Sequence, residues 1–418
     1  MNLETSLIHA GQVPDPATGA RALPIHPSNC YAFGDTAAAA KIFALESPGY
    51  IYTRLNNPTN DAAEQRMAAL EGGAGALVAS SGMAAIFLAA LNVAGAGDHI
   101  VASASLYGGT HTLFSHTLRR LGIRVDFVSA TAGAVAAAIR PETKAVYCET
   151  IGNPQCDVPD LDAIAAAAHA AGVPVFVDNT FAPVICRPFE HGADVVIHST
   201  SKWIGGHGAA IGGALVDGGR FGWAGNPRFP DFNEPDESYH GLVYAKIPGA
   251  PFALKARAQG MRNIGMCASP FNSYSFLLGL ESLAVRMARH CENTLALAQW
   301  LKAHPAVAWV NYPGLPEHPD HAVAKRVLKG GFGGVLGFGV KGGKAAGEAF
   351  INRVRLASHV ANVGDAKTLV IHPASTTHGQ MTPEQLADCG ITPDFVRVSA
   401  GLEDIRDILA DFDQALGA

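Results

Sequence analysis

The chain has 418 residues, 48% hydrophobic and only 16% charged, enough apolar material for two domains around a large core. Its formal net charge is −6, with no basic stripe interleaved with aromatics and no apolar run as long as a membrane span, so neither nucleic acid nor membrane is an expected partner. The seven cysteines are dispersed without a Cys-x-x-Cys pair, and Met1 to Ser6 hold neither a charged leader nor an apolar signal core, so reduced thiols and a cytoplasmic location are expected.

Residues 1–60 are rich in Pro, Asn and Tyr and read as an irregular arm. Within it, Tyr52-Thr53-Arg54 precedes Asn57-Pro58-Thr59-Asn60. Arg54 offers charge-assisted, bidentate contacts to a phosphate; the plainer reading is a surface loop with a turn at Asn57-Pro58. Ser80-Ser81-Gly82-Met83 then leads into an Ala-rich helix from Ala84 to Val93. Small residues before a helix let backbone N–H groups approach an anion that the helix dipole favours, although such residues also serve as simple caps. After a strand at Ile100 to Ala102 comes Tyr107, which is able to stack on a planar ring or to serve as an ordinary turn tyrosine.

Helical stretches at Thr110 to Leu121, Val135 to Ile139 and Leu161 to Ala171 alternate with strands. The strands fall at Arg124 to Ser129, Lys144 to Cys148, Val173 to Val177, Val195 to Ile197 and Gly213 to Val216. This alternation predicts an α/β protein with a mostly parallel sheet covered on both faces, whose ligands bind beyond the carboxyl ends of the strands. Glu149, Asp178 and Ser199 to Lys202 all fall there. A lysine at a buried strand end is poorly placed for a solvated charge and well placed for a reactive amine. With an acid, Asp178, one strand away, it suggests pyridoxal phosphate: Lys202 forms the Schiff base and Asp178 pairs with the pyridinium nitrogen, making the ring a better electron sink. The hydroxyl residues Ser199, Thr200 and Ser201 stand where a phosphate could bind.

Residues Arg220 to Arg262 interrupt the alternation with a segment rich in Pro, aromatic and acidic residues. A loop of that length is expected to be functional or disordered. A long helix from Pro270 to Cys291 then leads into a second domain, with a Gly-rich strand and turns at Gly330 to Gly343. A closing amphipathic helix places Ile405, Ile408, Leu409, Phe412 and Leu416 on one face. His318 and His321 have a ligand-like spacing but lie in a Pro-rich loop without a supporting cluster, so they read as surface histidines and no metal is expected. Gly330 to Lys344 does not fit a P-loop, and neither a strand-linked Gly-x-Gly-x-x-Gly nor a Gly-x-Ser-x-Gly elbow is present.

These separated segments together resemble the Cys/Met-metabolism family of pyridoxal-phosphate enzymes over nearly the whole chain. The resemblance implies the aspartate aminotransferase-like transferase fold (fold type I), with a smaller C-terminal α/β domain. It divides the chain into an arm at 1–60 serving the neighbouring subunit's site, a large cofactor domain at 61–269 carrying the insertion at about 220–262, and a substrate domain at 270–418. It implies Lys202 as the Schiff-base lysine, Asp178 on the ring nitrogen and Tyr107 stacked on the ring, with a part in proton transfer. Ser81, Gly82, Met83, Ser199 and Ser201 resemble phosphate ligands. Asn153 resembles the residue near the phenolic oxygen, and Arg397 the clamp for the substrate α-carboxylate. Tyr52 and Arg54 match residues that reach a neighbouring subunit's phosphate, implying obligate dimers that pair into a homotetramer.

Within the family the likeness runs to O-acetylhomoserine sulfhydrylases, through the insertion around Asn233 to Tyr244 and the segment Ala361 to His378. There Asn362, the candidate substrate ligand, stands where cystathionine enzymes place Ser, and Lys367 where they place Glu. The implied reaction is a γ-replacement of methionine biosynthesis: O-acetyl-L-homoserine and sulfide, or a small thiol, give L-homocysteine, or methionine, and acetate. The alternatives are a methionine or homocysteine γ-lyase and an O-acetylserine-using sulfhydrylase.

Overall fold

A computed structural model describes every residue except 378, 380, 381, 383–385, 387–389 and 418. His378, the last residue of the segment compared above, and Cys389 therefore lie outside the described residues. Seven strands build the main sheet: β1 (Gly75–Ala79), β2 (His99–Ser103), β3 (Arg124–Val128), β4 (Thr143–Glu149), β5 (Val175–Asp178), β6 (Val195–His198) and β7 (Gly213–Asp217), in the order β1-β7-β6-β5-β4-β2-β3. From β3 through β6 neighbouring strands are parallel. β7 runs antiparallel to both β6 and β1, because the Gly-rich connection from β6 contains no crossover helix and turns straight back. Every residue of β5 and β6 is buried, as a sheet covered on both faces requires. The helix Pro58–Glu71 packs Ala62, Ala63, Met67 and Leu70 against one face, and the helix Gly82–Leu91 packs Ala85, Ile86 and Leu88 against the other.

A second sheet holds β8 (Val307–Asn311), β9 (Val335–Val340), β10 (Ser358–His359), β11 (Leu369–Ile371) and β12 (Phe395–Ser399), in the order β10-β11-β12-β9-β8. The closing helix Ile405–Leu416 buries Ile408, Phe412 and Ala415 in the core beside it, on the face the sequence marked out. No helix among the described residues is long and apolar enough to cross a membrane.

Several expectations change. The arm is not wholly irregular: it contains helices at Leu3–His9 and Thr36–Phe43. Asn57-Pro58 is a helix start rather than a surface turn. The Asn57 side chain accepts the Thr59 and Asn60 N–H groups, and Pro58 takes the first helical position, where its missing N–H has no consequence. The long helix is two helices, Pro270–Glu281 and Leu283–Ala303, broken at Ser282, and the Arg286 guanidinium takes the Gly279 carbonyl at the break. Residues 220–262 form a packed unit, not an open loop. Trp223 lies on Phe232 with ring centroids 4.2 Å apart and planes 10° from parallel, and Phe229, Tyr244 and Phe252 are buried around them. His318 is buried, its Nδ1 accepting the Asp320 N–H at 3.1 Å, because the Pro-rich loop folds back on itself.

Candidate active site

The carboxyl ends of β4, β5 and β6 open into a cleft of about 380 Å³, a size suited to a small cofactor and its substrate. β5 ends on Asp178, whose Oδ1 accepts the Thr180 N–H at 2.9 Å and whose Oδ2 accepts the Tyr147 hydroxyl at 3.3 Å. Burial raises the Asp178 pKa above the ordinary carboxylate value, while the Thr180 hydrogen bonds pull it back. A buried carboxylate with neutral hydrogen-bond partners gains most from a cation set against it.

One strand over, Ser199 to Lys202 leave β6 in a tight turn, closed by the Lys202 N–H on the Ser199 carbonyl at 3.2 Å. The turn is anchored by the fully buried Trp203, which meets Phe181 edge-on at 5.2 Å. Arg286 clamps the Trp203 and Ile204 carbonyls at 2.7 and 3.3 Å. Lys202 is thereby set into the cleft wall, where its Nζ donates to Asn362 Oδ1. Its pKa is drawn below the usual lysine value, first by burial and then by the charge of Arg397. Arg397, on β12, donates to Asn153 Oδ1 at 3.0 Å and to the Asn362 carbonyl at 3.3 Å, and burial brings its own pKa down to about 10, so it stays charged at neutral pH.

The helix Gly82–Leu91 starts at the same cleft. Ser81 caps it, its Oγ accepting the Ala84 N–H at 3.0 Å. The N–H groups of Gly82 and Met83 stand in the first turn, where no intrahelical carbonyl reaches them and the dipole favours an anion. A Cβ on Gly82 would lie 2.7 Å from Ser199 Cβ, and one on Gly213 would lie 2.2 Å from the Ser81 carbonyl oxygen. Glycine at both positions lets the helix start, the end of β6 and the start of β7 converge into a cradle. The set fits pyridoxal phosphate: a helix N-terminus for its phosphate, a buried acid for its ring nitrogen, a tyrosine ring beside them and an amine of lowered pKa for its aldehyde.

Of the residues singled out from sequence, Lys202, Asp178, Ser81, Gly82, Met83, Tyr107, Asn153, Ser199, Ser201, Asn362 and Arg397 all line this one cleft. The Ser201 hydroxyl is engaged with the Gly212 backbone, accepting its N–H at 2.9 Å and donating to its carbonyl at 3.2 Å. Tyr52 and Arg54 are not among the lining residues: Tyr52 is exposed, and the Arg54 guanidinium sits over its ring at 5.3 Å and donates to the Arg262 carbonyl. Lys367 is also outside the cleft, exposed and 3.8 Å from Asp365. Glu149 and Thr180 line the cleft without having been singled out as site residues, and Tyr147 orients Asp178 from behind. The strand-end position of Glu149 was a signal in the sequence; nothing in the sequence marked Tyr147, since strand pairing brings its hydroxyl to Asp178.

The model of the family described as Cys/Met metabolism PLP-dependent enzyme matches residues 4–417. A homocysteine synthase of Schizosaccharomyces pombe is 52% identical over 420 residues, covering 99% of this chain and 98% of that protein. An O-acetyl-L-homoserine sulfhydrylase of Thermus thermophilus is 50% identical, with 100% of each chain covered. The crystal structure of an O-acetylhomoserine (thiol)-lyase from Campylobacter jejuni, which carries an N'-pyridoxyl-lysine-5'-monophosphate, superposes with a TM-score of 0.97 at 37% identity, again with 100% of each chain covered. Matched by the family from residue 4 to residue 417 and by relatives about half identical over their whole length, the chain belongs to the Cys/Met-metabolism family of pyridoxal-phosphate-dependent enzymes.

Proposed function

We propose that this enzyme is an O-acetylhomoserine sulfhydrylase, a transferase of methionine biosynthesis that converts O-acetyl-L-homoserine and sulfide, or a small thiol, to L-homocysteine, or methionine, and acetate. The observation that carries the reading is that relatives about half identical over their full length are named for this substrate or this product. The cleft supports it with one lysine flanked by an arginine and facing a buried acid.

When bound, pyridoxal phosphate supplies the electron sink for the pair left as the substrate Cα proton departs. Asp178 would hold the ring nitrogen, Gly82 and Met83 would present N–H groups to the phosphate with Ser81, Ser199 and Ser201 around it, and Tyr107 would stack on the ring. Asn153, which orients Arg397, would lie near the phenolic oxygen. Arg397 takes the α-carboxylate with its planar fork. Burial, joined by the positive charge of Arg397, favours the unprotonated Lys202 amine, whose Nζ takes the Cα proton and later returns one. A second proton is lost from Cβ to solvent as acetate leaves Cγ with the bonding electron pair; hydrosulfide then adds at Cγ, and protons return to both Cβ and Cα. Asn362 holds Lys202 and the substrate's carboxylate end together. Ile86, Ile151, Phe181 and Val363 give the cleft apolar walls that keep bulk water from competing with the entering thiol.

The proposal includes a cofactor-binding domain at 61–269, a substrate domain at 270–418, a cytoplasmic location, and dimers, paired as tetramers, in which Tyr52 and Arg54 of the 1–60 arm complete a neighbour's phosphate site. The exposed Phe271, Leu278 and Ile211, the last of which also lines the cleft, support a subunit contact at its mouth. The test is homocysteine formation from O-acetylhomoserine and sulfide, run beside ammonia release from methionine. Homocysteine formation is expected to dominate. Ammonia without homocysteine makes the enzyme a γ-lyase, and protein without a visible cofactor band after adding pyridoxal phosphate removes the reading altogether.

A further inference from the structure

Glu149 closes β4 opposite Asp178 in parallel register, and adjacent strands lie about 4.8 Å apart. Both side chains line the cleft, Glu149 at 6% and Asp178 at 8% exposure. Glu149 Oε1 accepts the Tyr107 N–H at 2.7 Å, and the Asn153 N–H also reaches the carboxyl group. The charges that bear on it are Asp178 on β5 and Asp157 in the loop after β4, both negative. The cations of the cleft are turned elsewhere: Arg397 to Asn153 and Asn362, and Lys202 to Asn362. Tyr147, on Glu149's own strand, donates to Asp178. Burial, then the charge of Asp178, lifts the Glu149 pKa well above the ordinary carboxylate range. Of two adjacent buried carboxyl groups, the one that meets a cation ionises and the other keeps its proton.

We propose that Glu149 is a positioning residue held as an uncharged acid: its oxygen fixes the turn that presents Tyr107, and its proton leaves Asp178 as the sole anion against the cofactor's ring nitrogen. Tyr107 is half exposed and stands just before the helical run that begins at Gly108 and continues through Leu118, so this backbone bond ties the start of that run to the carboxyl end of β4. The proposal rests on the reading of Asp178 and Tyr107 as the ring's partners.

The test uses the holoenzyme and two readouts, the dissociation constant of pyridoxal phosphate and the pH midpoint of its visible absorption band. E149Q is isosteric with the protonated acid and keeps the acceptor oxygen. It is expected to hold the cofactor within about threefold of wild type, with the midpoint displaced by less than about 0.3 pH unit. E149A, which frees the Tyr107 turn, is expected to weaken cofactor binding by about tenfold or more. An E149Q protein that resembles E149A, moves the midpoint by about a full pH unit, or does not fold overturns the proposal, because each means that the negative charge of Glu149 is required. An E149A protein that binds the cofactor like wild type removes the positioning role, and if it is insoluble, E149Q decides alone. D178N separates the two readings. If it leaves affinity and spectrum unchanged, the reading of Asp178 fails and takes this proposal with it. If D178N disrupts both while E149Q does too, only the proposal for Glu149 fails.

Discussion

Lys202 and Arg397 are linked by charge as well as by their shared contacts with Asn362. Because the positive charge of Arg397 and burial both disfavour the ammonium, removing that charge should raise the Lys202 pKa. In Arg397→Leu, the rate at which apoenzyme captures pyridoxal phosphate, which needs the neutral amine, should reach its midpoint at higher pH than in wild type. A stopped-flow pH series reads this directly, and a midpoint that stays put or falls would show that Arg397 does not tune the amine. Lys202→Ala should lose the cofactor's visible lysine-bound band and reduce turnover by about 10²–10⁴-fold or more. Robust turnover in that variant would remove Lys202 from the reaction.

Among the elements, the helix Leu283–Ala303 ties the Lys202 turn to the second sheet. Arg286 grips the Trp203 and Ile204 carbonyls, while His290 and Asn293 grip the backbone after β12 at Ala400, Gly401 and Glu403. His290 is fully buried and must be neutral at the ring nitrogen that faces solvent-free core; its Nδ1–H donates to the Ala400 carbonyl at 2.7 Å, and burial draws its pKa down to about 4. In the unfolded chain a histidine titrates near 6.5, so between there and pH 4 the unfolded state takes up the proton first. The contribution is therefore complete above about pH 6.5 and lost as pH falls through 4, for a total of about 3 kcal/mol. Urea melts at pH 7 and pH 4.5 should show a difference that shrinks in His290→Gln. In the 220–262 unit, Phe232 stacks on Trp223 and is 1% exposed. Phe232→Ala should destabilise the fold by about 3–5 kcal/mol, seen as a lower urea midpoint; a loss under about 1 kcal/mol would mean the aromatic cluster is not part of the cooperative core. The alternating strands were legible because their apolar runs are continuous, whereas the break at Ser282 was not, since it depends on a guanidinium capturing a carbonyl.

For the whole molecule, Tyr52 and Arg54 are the site candidates that one chain does not bring to its own cleft. If they complete a neighbour's site, Lys202→Ala and Arg54→Ala proteins, each inactive alone, should regain activity when mixed under conditions that exchange subunits. Each mixed dimer then carries one site free of both changes, so the ceiling is roughly a quarter of wild-type activity. Mixtures no more active than the parents would place Arg54 outside any shared site.

The sequence by itself determined the α/β class, the strand ends and the chemistry-bearing side chains: Lys202 and Asp178 each follow or end an uninterrupted apolar run, a local pattern that survives without knowledge of packing. It also held the helix-start cradle, because Ser80 to Met83 read as small residues ahead of a helix from their neighbours alone, although the helix begins at Gly82 rather than at Ala84. Only the tertiary structure decided that Arg397, Asn153 and Asn362, up to 244 positions apart, meet through hydrogen bonds beside Lys202. It alone decided that β7 returns antiparallel and that 220–262 folds on an aromatic cluster. It alone set Glu149 against Asp178 and laid Tyr147 on the same acid. Burial and charge at those positions come from strands and loops distant in the chain, and the fields that shift Lys202, Asp178 and Glu149 exist only once the chain has brought them together.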